Sequence, residues 1–519
     1  MTEHDARNLL LQAEQAKAAI ADAARPAAVE RQRRRAKLTA RERLAYLCDA
    51  GTFGEMGALV KDDANGEREA PADGMIVGKG RIDGRWAAIA VQDFSVFGGS
   101  SGKLGSEKLL RTAYMAMSQG MPLVLLLDGG GHRIQDGQDS RHFAHTGPQF
   151  LNFARMSGWV PMVAAMLGAG FAGPTNYAGL ADFVVMVRGQ SVMGLAGPAL
   201  VKAGTGEEIS AEDLGGAAVQ VDRNGLADLG VDSEEAALDA VKRFLSYLPS
   251  NARQSLPTIA TDDPRERRAE QLLDMVPANS RKAYDMRKVI GLIADQGSVF
   301  ELKPSFAGNI VTSFARLGGR PVGFIANQPL KLGGMLNSAA CDKAAHFIAL
   351  CDAFGLPLVY LVDIPGFFIG SSAESATLGR RSAKLLYELG HATVPRISVI
   401  LRKGYGLGYL AMCGGRSFDA DACFAWPTAE ICAMSIEGSV DVAYRRDYER
   451  AADPAARRQE LIDGIRRNIS ALRAAAGFGV DDIIDPRDTR AHLIDVLDQA
   501  LPRRVTNDMP PKFRSIVPI

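Results

Sequence analysis

Two glycine-rich turns recur in each half of this sequence, and their residue types suit one kind of chemistry. In the first half they are Gly129-Gly130-Gly131, which follows Leu123–Leu127 and Asp128, and Ala172-Gly173. In the second half they are Ile364-Pro365-Gly366, which follows Leu356–Val362 and Asp363, and Leu407-Gly408. Glycine leaves backbone N–H groups bare, so a ligand can approach the main chain. Amides at turn ends or helix starts can converge on one oxygen. Two such amides form an oxyanion hole, which suits an enolate or a tetrahedral oxyanion. The structural alternative is that the glycines only make tight strand-to-helix turns. Four turns at matched positions favour the chemical reading over that one.

The matching is a repeat. Pro122 and Pro357, Asp128 and Asp363, and Gly131 and Gly366 each lie 235 positions apart. Gly98-Gly99 and Gly333-Gly334 keep that offset, and so do the regions Gly168 to Gly173 and Lys403 to Gly408. A fixed offset through strands, helices and turns reads as a duplicated domain. Within the first half, the runs from Met75 to Phe94 flank Asp83-Gly84, a hairpin signal. Helical patterns over Lys103–Met117 and Ser140–Met156 alternate with apolar runs at Leu123–Leu127, Pro161–Leu167 and Phe183–Val187. That alternation predicts an α/β domain. Val201–Leu214 and Ser233–Leu248 also read as helices.

At the N-terminus, Glu14–Ala36 reads as an exposed helix. It ends in a basic cluster: Arg31, Arg33, Arg34, Arg35 and Lys37. The cluster is a solvated face, or alternatively a clamp for an acidic ligand. Thr39 with Glu42 has capping-box spacing, and Gly51 is placed to close that helix. The expected organisation is a helical segment over 1–70, domains over 71–250 and 286–519, and a linker over 251–285. A charged helical tail starts at Asp447 and ends in PPKFRSIVPI.

Composition removes several function classes. With 519 residues, 47% apolar and 23% charged, the chain is an ordinary globular sequence with room for more than one core. Sixty basic residues balance sixty acidic ones, so no global field points to nucleic acid. No apolar run has membrane-spanning length, and the N-terminal stretch is amphipathic rather than a signal peptide. Six cysteines form no C-x-x-C pair and seven histidines are scattered, so no metal site is expected. Reduced thiols suit a cytoplasmic location. There is no Walker-type G-x-x-x-x-G-K-[ST]. The G-x-S-x-G at Gly98–Gly102 lacks an elbow strand. The G-x-G-x-x-G at Gly168–Gly173 precedes a strand ending at Arg188 rather than an acidic residue.

KLTARERL, VQDFSVFGGS, DGGGHRIQDG, LAGPALVKAGTGEEISAEDLGG, CDAFGLPLVYLVDIPGF, RKGYGLGY and FAWPTAEI are distinctive. On these stretches the chain resembles the carboxyltransferase (β) subunit of biotin-dependent acyl-CoA carboxylases, the propionyl-CoA and methylcrotonyl-CoA group. The resemblance implies two tandem crotonase-like domains, assembled as dimers and hexamers. Each active site then lies between the N-domain of one chain and the C-domain of its dimer partner. It implies that Gly131-His132 and Ala172-Gly173 hold an acyl-CoA thioester oxygen. Gly366-Phe367 and Leu407-Gly408 then hold the ureido oxygen of carboxybiotin, which a separate biotinylated carrier and biotin carboxylase supply. CO2 leaves carboxybiotin, the freed biotin nitrogen takes the α-proton, and the enolate attacks CO2. No side-chain base and no metal are required. Gly98, Gly99, Gly333 and Gly334 flank these turns as substrate-contacting positions. Tyr177 and Tyr405 are pocket walls or core residues.

This chain departs from the family pattern at several of these positions. The family usually has Ser and Ala where this chain has Gly129 and His132. It usually reads GGAY at Ala172-Gly173-Pro174-Thr175, and AYGGAYD around Tyr405–Leu410. Leu410 occupies the position that contacts the acyl chain in several members. These replacements keep the backbone amides and alter pocket shape. His132 reads as a turn residue, with polarisation of the acyl end as the alternative. Cys341 and Cys351 read as core, Trp426-Pro427-Thr428 as structural at a strand end, and Glu374, Arg380, Arg381 and Lys384 as surface pairs or, equally, a phosphate contact. Two alternatives stand beside carboxylation. One is the matching subunit of a malonyl-, methylmalonyl- or glutaconyl-CoA decarboxylase. The other is a catalytically weak acyl-CoA-binding assembly subunit.

Overall fold

The computed structural model describes residues 5–61, 70–134, 147–277 and 282–503, with 138, 140, 144 and 279 between them. PPKFRSIVPI lies outside the described residues. The chain forms two compact units, one running to Gln254 and the other starting at Ser255.

In the first unit, three helices lead in: α1 (Ala6–Ala19), α2 (Pro26–Arg33) and α3 (Ala40–Leu47). The single helix expected over 14–36 is therefore two, because Pro26 cannot continue α1 and instead opens α2. The capping box of α3 is present. Thr39 Oγ1 accepts the Glu42 N–H at 3.1 Å, and Glu42 Oε2 accepts the Thr39 N–H at 2.9 Å. The helix ends at Leu47, ahead of Gly51, where the chain turns extended at Cys48.

The sheet of this unit is built from β1 (Gly54–Met56), β2 (Met75–Ile82), β3 (Arg85–Gln92), β4 (Leu123–Leu127) and β5 (Met162–Met166). A two-stranded annex pairs β6 (Ala169–Phe171) with β8 (Val192–Gly194). Strands β7 (Phe183–Val187) and β9 (Leu229–Val231) complete the main sheet, in the order β1-β2-β3-β4-β5-β7-β9. The first three strands are antiparallel and the rest parallel. Asp83 and Gly84 take φ of 47° and 78°, the turn a two-residue hairpin needs. The Asp49 carboxylate accepts both of their N–H groups, at 3.1 and 2.8 Å. Helix α4 (Lys103–Gln119) follows, then α5 (Gln149–Met156), α6 (Gly173–Gly179) and α7 (Glu234–Tyr247). Of the helix expected over 140–156, α5 is the described helical part. The helix expected over 201–214 is two, Pro198–Thr205 and Ala211–Gly215. One core takes Met75, Val77, Leu109, Leu123, Leu125, Phe153, Met162 and Val184.

The second unit begins with α8 (Met286–Ile293) and strands β10 (Phe300–Leu302), β11 (Ile310–Leu317), β12 (Arg320–Asn327), β13 (Leu358–Ile364) and β14 (Arg396–Tyr405). It continues with β15 (Ala422–Ala425), β16 (Glu430–Cys432) and β17 (Asp482–Ile483). Helix α9 (Ser338–Phe354) links β12 to β13, α10 (Leu378–His391) links β13 to β14, and α11 (Gly406–Ala411) follows β14. The order β10-β11-β12-β13-β14-β15-β17 matches the first sheet, with β16 paired to the end of β14.

The duplication holds at residue level. The β2–β3 register runs from Met75↔Gln92 to Ile82↔Arg85, and the β11–β12 register from Ile310↔Asn327 to Leu317↔Arg320. Every one of these residues moves by the same offset. Asp295 accepts the N–H groups of Gly318 and Gly319 at 3.0 and 2.7 Å, as Asp49 does in the first hairpin. The offset slips by one at the next strand, where Leu123↔Met162 answers to Leu358↔Arg396, and it changes again at Phe183 and Ala422.

The stretch expected as a linker belongs to the second unit from Ser255 on and is anchored there at several points. Ile259 N–H bonds Gly319 O, Leu272 sits in the core, and Arg267 donates to Leu292 O and Ala294 O. Short polar stretches look like linkers in sequence, yet their backbone and arginines here satisfy a sheet edge and a helix end. The tail from Asp447 is helical over Pro454–Arg466, Ala471–Ala476 and Thr489–Gln499. Leu493, Ile494 and Leu497 of the last helix enter the core. Among the described residues no helix is long and apolar enough to cross a membrane. All six cysteines are thiols.

Candidate oxyanion sites

Strand β4 runs fully buried to Leu127 and delivers Asp128 to the sheet end, where the first turn begins. The chain leaving that turn is bridged to the segment before α4. Ser101 N–H bonds Gly131 O at 3.0 Å and Arg133 N–H bonds Ser101 O at 2.9 Å. In such a parallel bridge the residue between the two bonds directs its own N–H away from the bridging chain. His132 is that residue. Gly131 lies against the second turn. A Cβ on it would stand 3.0 Å from Ala172 Cβ, 3.2 Å from Phe171 O and 3.9 Å from Gly173 N. Gly173 opens α6, so its N–H has no acceptor within the helix. The residues around this point are partly or fully accessible, which a ligand would need.

The second unit repeats the construction. Leu336 N–H bonds Gly366 O at 3.3 Å and Phe368 N–H bonds Leu336 O at 2.8 Å, so Phe367 turns its N–H away from the bridge. Gly408, in the first turn of α11, approaches Gly366 so closely that a Cβ would meet Gly366 Cα at 3.1 Å. The sequence therefore foresaw two pairs of turns, and the fold brings each pair into contact. Leu407 is half exposed and Leu410 partly buried beside this point.

Gly99 and Gly334, expected to contact substrate, are buried against the turns themselves. A Cβ on Gly99 would stand 2.2 Å from Asp128 O, and one on Gly334 would stand 2.7 Å from Asp363 O. Both are close-approach glycines that let one loop seat on the turn. Gly98 and Gly333 beside them are exposed with open space around them. Tyr177 is in the core, packed on Phe150 and Phe153, and its Oη accepts from Gln149 Nε2 at 2.7 Å. Tyr405 is buried too, and its Oη donates to Glu430 at 2.7 Å. Burial, then that carboxylate, pushes the Tyr405 phenol well up. Both tyrosines support the turns from behind.

One departure from the family pattern carries backbone strain. Ala172 has φ 60° and ψ −115°, a conformation that glycine adopts freely and alanine does not. Its N–H is held by Gly194 O at 2.9 Å, which keeps the turn in place.

Sequence reasoning missed the side chains that fix these turns. Gln92 accepts the Asp128 N–H at 2.9 Å and donates to Gly99 O at 3.2 Å. Asn327, its repeat partner, accepts the Asp363 N–H at 3.2 Å and donates to Gly334 O at 3.2 Å. The offset between Gln92 and Asn327 was a usable signal. Lys37 is a correction. It does not lie on the expected solvated face but is buried, with Nζ 2.8 Å from Asp128 Oδ1. Arg33 pairs with Glu42 and Arg34 with Glu30, so these cluster members act as surface partners. Arg43 bridges Asp128 (2.7 Å) and Glu234 (2.8 and 2.7 Å). Burial alone would lower the Arg43 guanidinium, but Glu234 and Asp128 outweigh it and hold it above its usual value. In the second unit Arg402 donates to Asp363 at 3.0 and 2.9 Å. Asp73 and Arg133, both buried, pair at 2.8 Å beside the first turn. Arg381 and Lys384 both reach Asp342, and Trp426 donates to Thr489, as structural roles require. Cys341 and Cys351 are buried, which pushes their thiols up. Among the described residues no group of three His, Cys, Asp or Glu side chains could hold a metal ion.

The family model described as the carboxyl transferase domain matches residues 31–516. The propionyl-CoA carboxylase carboxyltransferase subunit of Haloferax mediterranei is 42% identical over 463 residues, 88% of this chain and 89% of that one. The methylmalonyl-CoA decarboxylase subunit alpha of Propionigenium modestum is 38% identical over 496 residues, 95% of each chain. The crystal structure of the transcarboxylase 12S hexamer, with methylmalonyl-coenzyme A and methylmalonic acid bound, superposes with a TM-score of 0.91. It is 39% identical and covers 99% of this chain and 98% of that one.

Proposed function

This chain belongs to the carboxyl transferase family, and from that premise we propose that it moves CO2 between carboxybiotin and an acyl-CoA. It is the carboxyltransferase component of a biotin-dependent acyl-CoA carboxylase. The two units, meeting at Gln254 and Ser255, are tandem crotonase-like domains, the first serving the acyl-CoA and the second the biotin. The single observation that carries this reading is the paired contact of turns, Gly131 with Ala172-Gly173 and Gly366 with Gly408.

In the first unit the N–H groups of His132 and Gly173 hold the thioester oxygen, whose charge grows as the α-proton leaves. Donors fixed in advance favour the enolate over the thioester, which is what lowers the barrier. In the second unit the N–H groups of Phe367 and Gly408 hold the ureido oxygen as CO2 departs. The biotin nitrogen left behind accepts the α-proton, and the enolate carbon forms the new bond to CO2. Charge and proton balance with no ionised side chain, so Leu407 and Leu410 shape the pocket instead. Carboxybiotin arrives on a biotinylated carrier protein charged by a biotin carboxylase. The subunit assembles through dimers into a hexamer, the state of the 12S relative.

Incubation with a charged biotinyl carrier and a panel of acyl-CoAs, read by mass, tests the proposal. A gain of one carboxyl group on one acyl-CoA is expected. Carboxylation from bicarbonate and ATP with no biotinylated partner refutes it. The relationship to methylmalonyl-CoA decarboxylase favours a second reading, the same chemistry run towards decarboxylation. Carboxyl transfer from a dicarboxylic acyl-CoA to the carrier, with no net forward carboxylation, would select it.

A further inference from the structure

The two units hold corresponding carboxylates in different ways, and the difference assigns a task to the N-terminal segment. Asp128 and Asp363 each sit at the end of the strand that feeds the first turn, and both are buried. In the second unit the cation on Asp363 is local. Arg402, near the end of β14, donates to the carboxylate, and the adjacent Lys403 N–H joins at 3.2 Å. In the first unit the strand register puts Gly168 and Ala169 at these places, and they bring no charge. The cations come instead from Lys37, just ahead of α3, and from Arg43 within α3, whose counterpart in α8 is the uncharged Val289.

Their placement links the two turns. A Cβ on Gly168 would stand 1.9 Å from Asp128 Oδ1 and 2.2 Å from Lys37 Nζ, so the ion pair lies directly on the backbone that leads to Ala172-Gly173. Gln190 extends the cluster, donating to Glu234 at 2.8 Å and to Leu167 O at 2.9 Å. Two cations and two carboxylates, nearly all water-excluded, form a neutral set. Such sets add little net stability over apolar packing but fix geometry, because each charge needs its partner. Lys37 and Asp128 are 91 residues apart, and Arg43 and Glu234 are 191 apart.

We propose that Lys37 and Arg43 are positioning residues that clamp the two turns of the first oxyanion site at their working separation, the task Arg402 performs in the second unit. This rests on the reading given under Proposed function. The clamp touches no substrate and acts through Asp128 and Gly168.

The test compares Lys37→Met, the charge-balanced Lys37→Met/Asp128→Asn and Arg402→Met in the full chain. An S-nitroalkyl-CoA, whose nitronate mimics the enolate, serves as probe. Lys37→Met should lower kcat at least tenfold, with the KM for acyl-CoA changing less than threefold, and weaken nitronate binding by a similar factor. The double variant keeps the Arg43–Glu234 pair, so it should fold while showing the same loss. Arg402→Met should leave nitronate affinity at the wild-type value and raise the KM for the carboxylated carrier. If both Lys37 variants keep wild-type kcat and nitronate affinity and only their melting temperature falls, the cluster is purely structural and the proposal is wrong. Absence of carboxyl transfer by the wild-type chain would instead overturn the functional reading. Nitronate affinity would still decide the clamp.

Discussion

Replacing Gly131 with alanine adds one methyl group where the two turns of the first unit meet. That methyl would stand 3.0 Å from Ala172 Cβ and 3.2 Å from Phe171 O. Carbon atoms prefer about 3.5–4.0 Å, so the turns must part by roughly 0.5–1 Å. Overpacking of this kind costs about 1–3 kcal/mol of stability. Its effect on catalysis is larger than the strain suggests, because an oxyanion donor works only at about 2.7–3.1 Å, and losing one costs about 10²–10³ in kcat. We expect Gly131→Ala to lower kcat about 100-fold. Gly130 next to it is the control. A Cβ there meets nothing within 4 Å, so Gly130→Ala should turn over like wild type. A second substitution gives the mechanism away. Ala172→Gly removes the carbon behind the 3.0 Å contact and relieves the strained φ of 60°. Alone it should stabilise the protein by about 1 kcal/mol. Combined with Gly131→Ala it should restore most of the lost rate, a coupling expected only between touching residues. The assay is carboxyl transfer from a charged carrier, per folded active site, with unfolding followed in parallel. If Gly131→Ala is as active as Gly130→Ala, the turns are connectors and the amides do no chemistry.

Gly408→Ala should act on the other substrate, because its methyl would press on Gly366 at 3.1 Å. A raised KM for the carboxylated carrier, with acyl-CoA binding unchanged by calorimetry, is the expected result. Asp182 gives a pH signature. Burial pushes its carboxyl up to about 7, against the Met162 N–H that it accepts, and nearby Asp228 adds to the rise. The folded chain then holds a proton that the unfolded chain has released above about 3.8. Stability from this group is complete below that value and is lost as pH rises to about 7, by at most about 1.4 kcal/mol per pH unit. Asp182→Asn should flatten that slope in denaturant titrations at pH 5 and pH 8, and an unchanged slope would refute the assignment. Lys343 Nζ donates to three carbonyls, of Lys303, Phe306 and Ile310, at 2.8, 2.9 and 2.9 Å. Lys343→Met should cost about 3 kcal/mol or more by leaving buried acceptors without a donor, read as a lowered urea midpoint.

Local chemistry wrote much of this molecule in plain sight. The apolar run Leu123–Leu127 is the strand β4, Asp83-Gly84 is the β2–β3 hairpin turn, and Thr39 with Glu42 is a working cap, because each depends on neighbours within a few residues. The constant offset between halves exposed the doubled fold, since a copied domain must keep the spacing of its strands and turns. The same offset would have found Gln92 and Asn327. What failed was judgement at longer range. Polar, proline-bearing sequence near Ser255 looked like a tether but packs. Lys37 looked like one more surface cation in a basic run. Its burial against Asp128 depends on a carboxylate 91 residues away, and no periodicity reports such a partner. The twin sites themselves divide in the same way. Glycine spacing was sufficient to name the four turns. Only the folded chain sets Gly131 on Ala172 and Gly366 on Gly408, because sheet register and buried ion pairs, not neighbours in sequence, fix the distance between two loops.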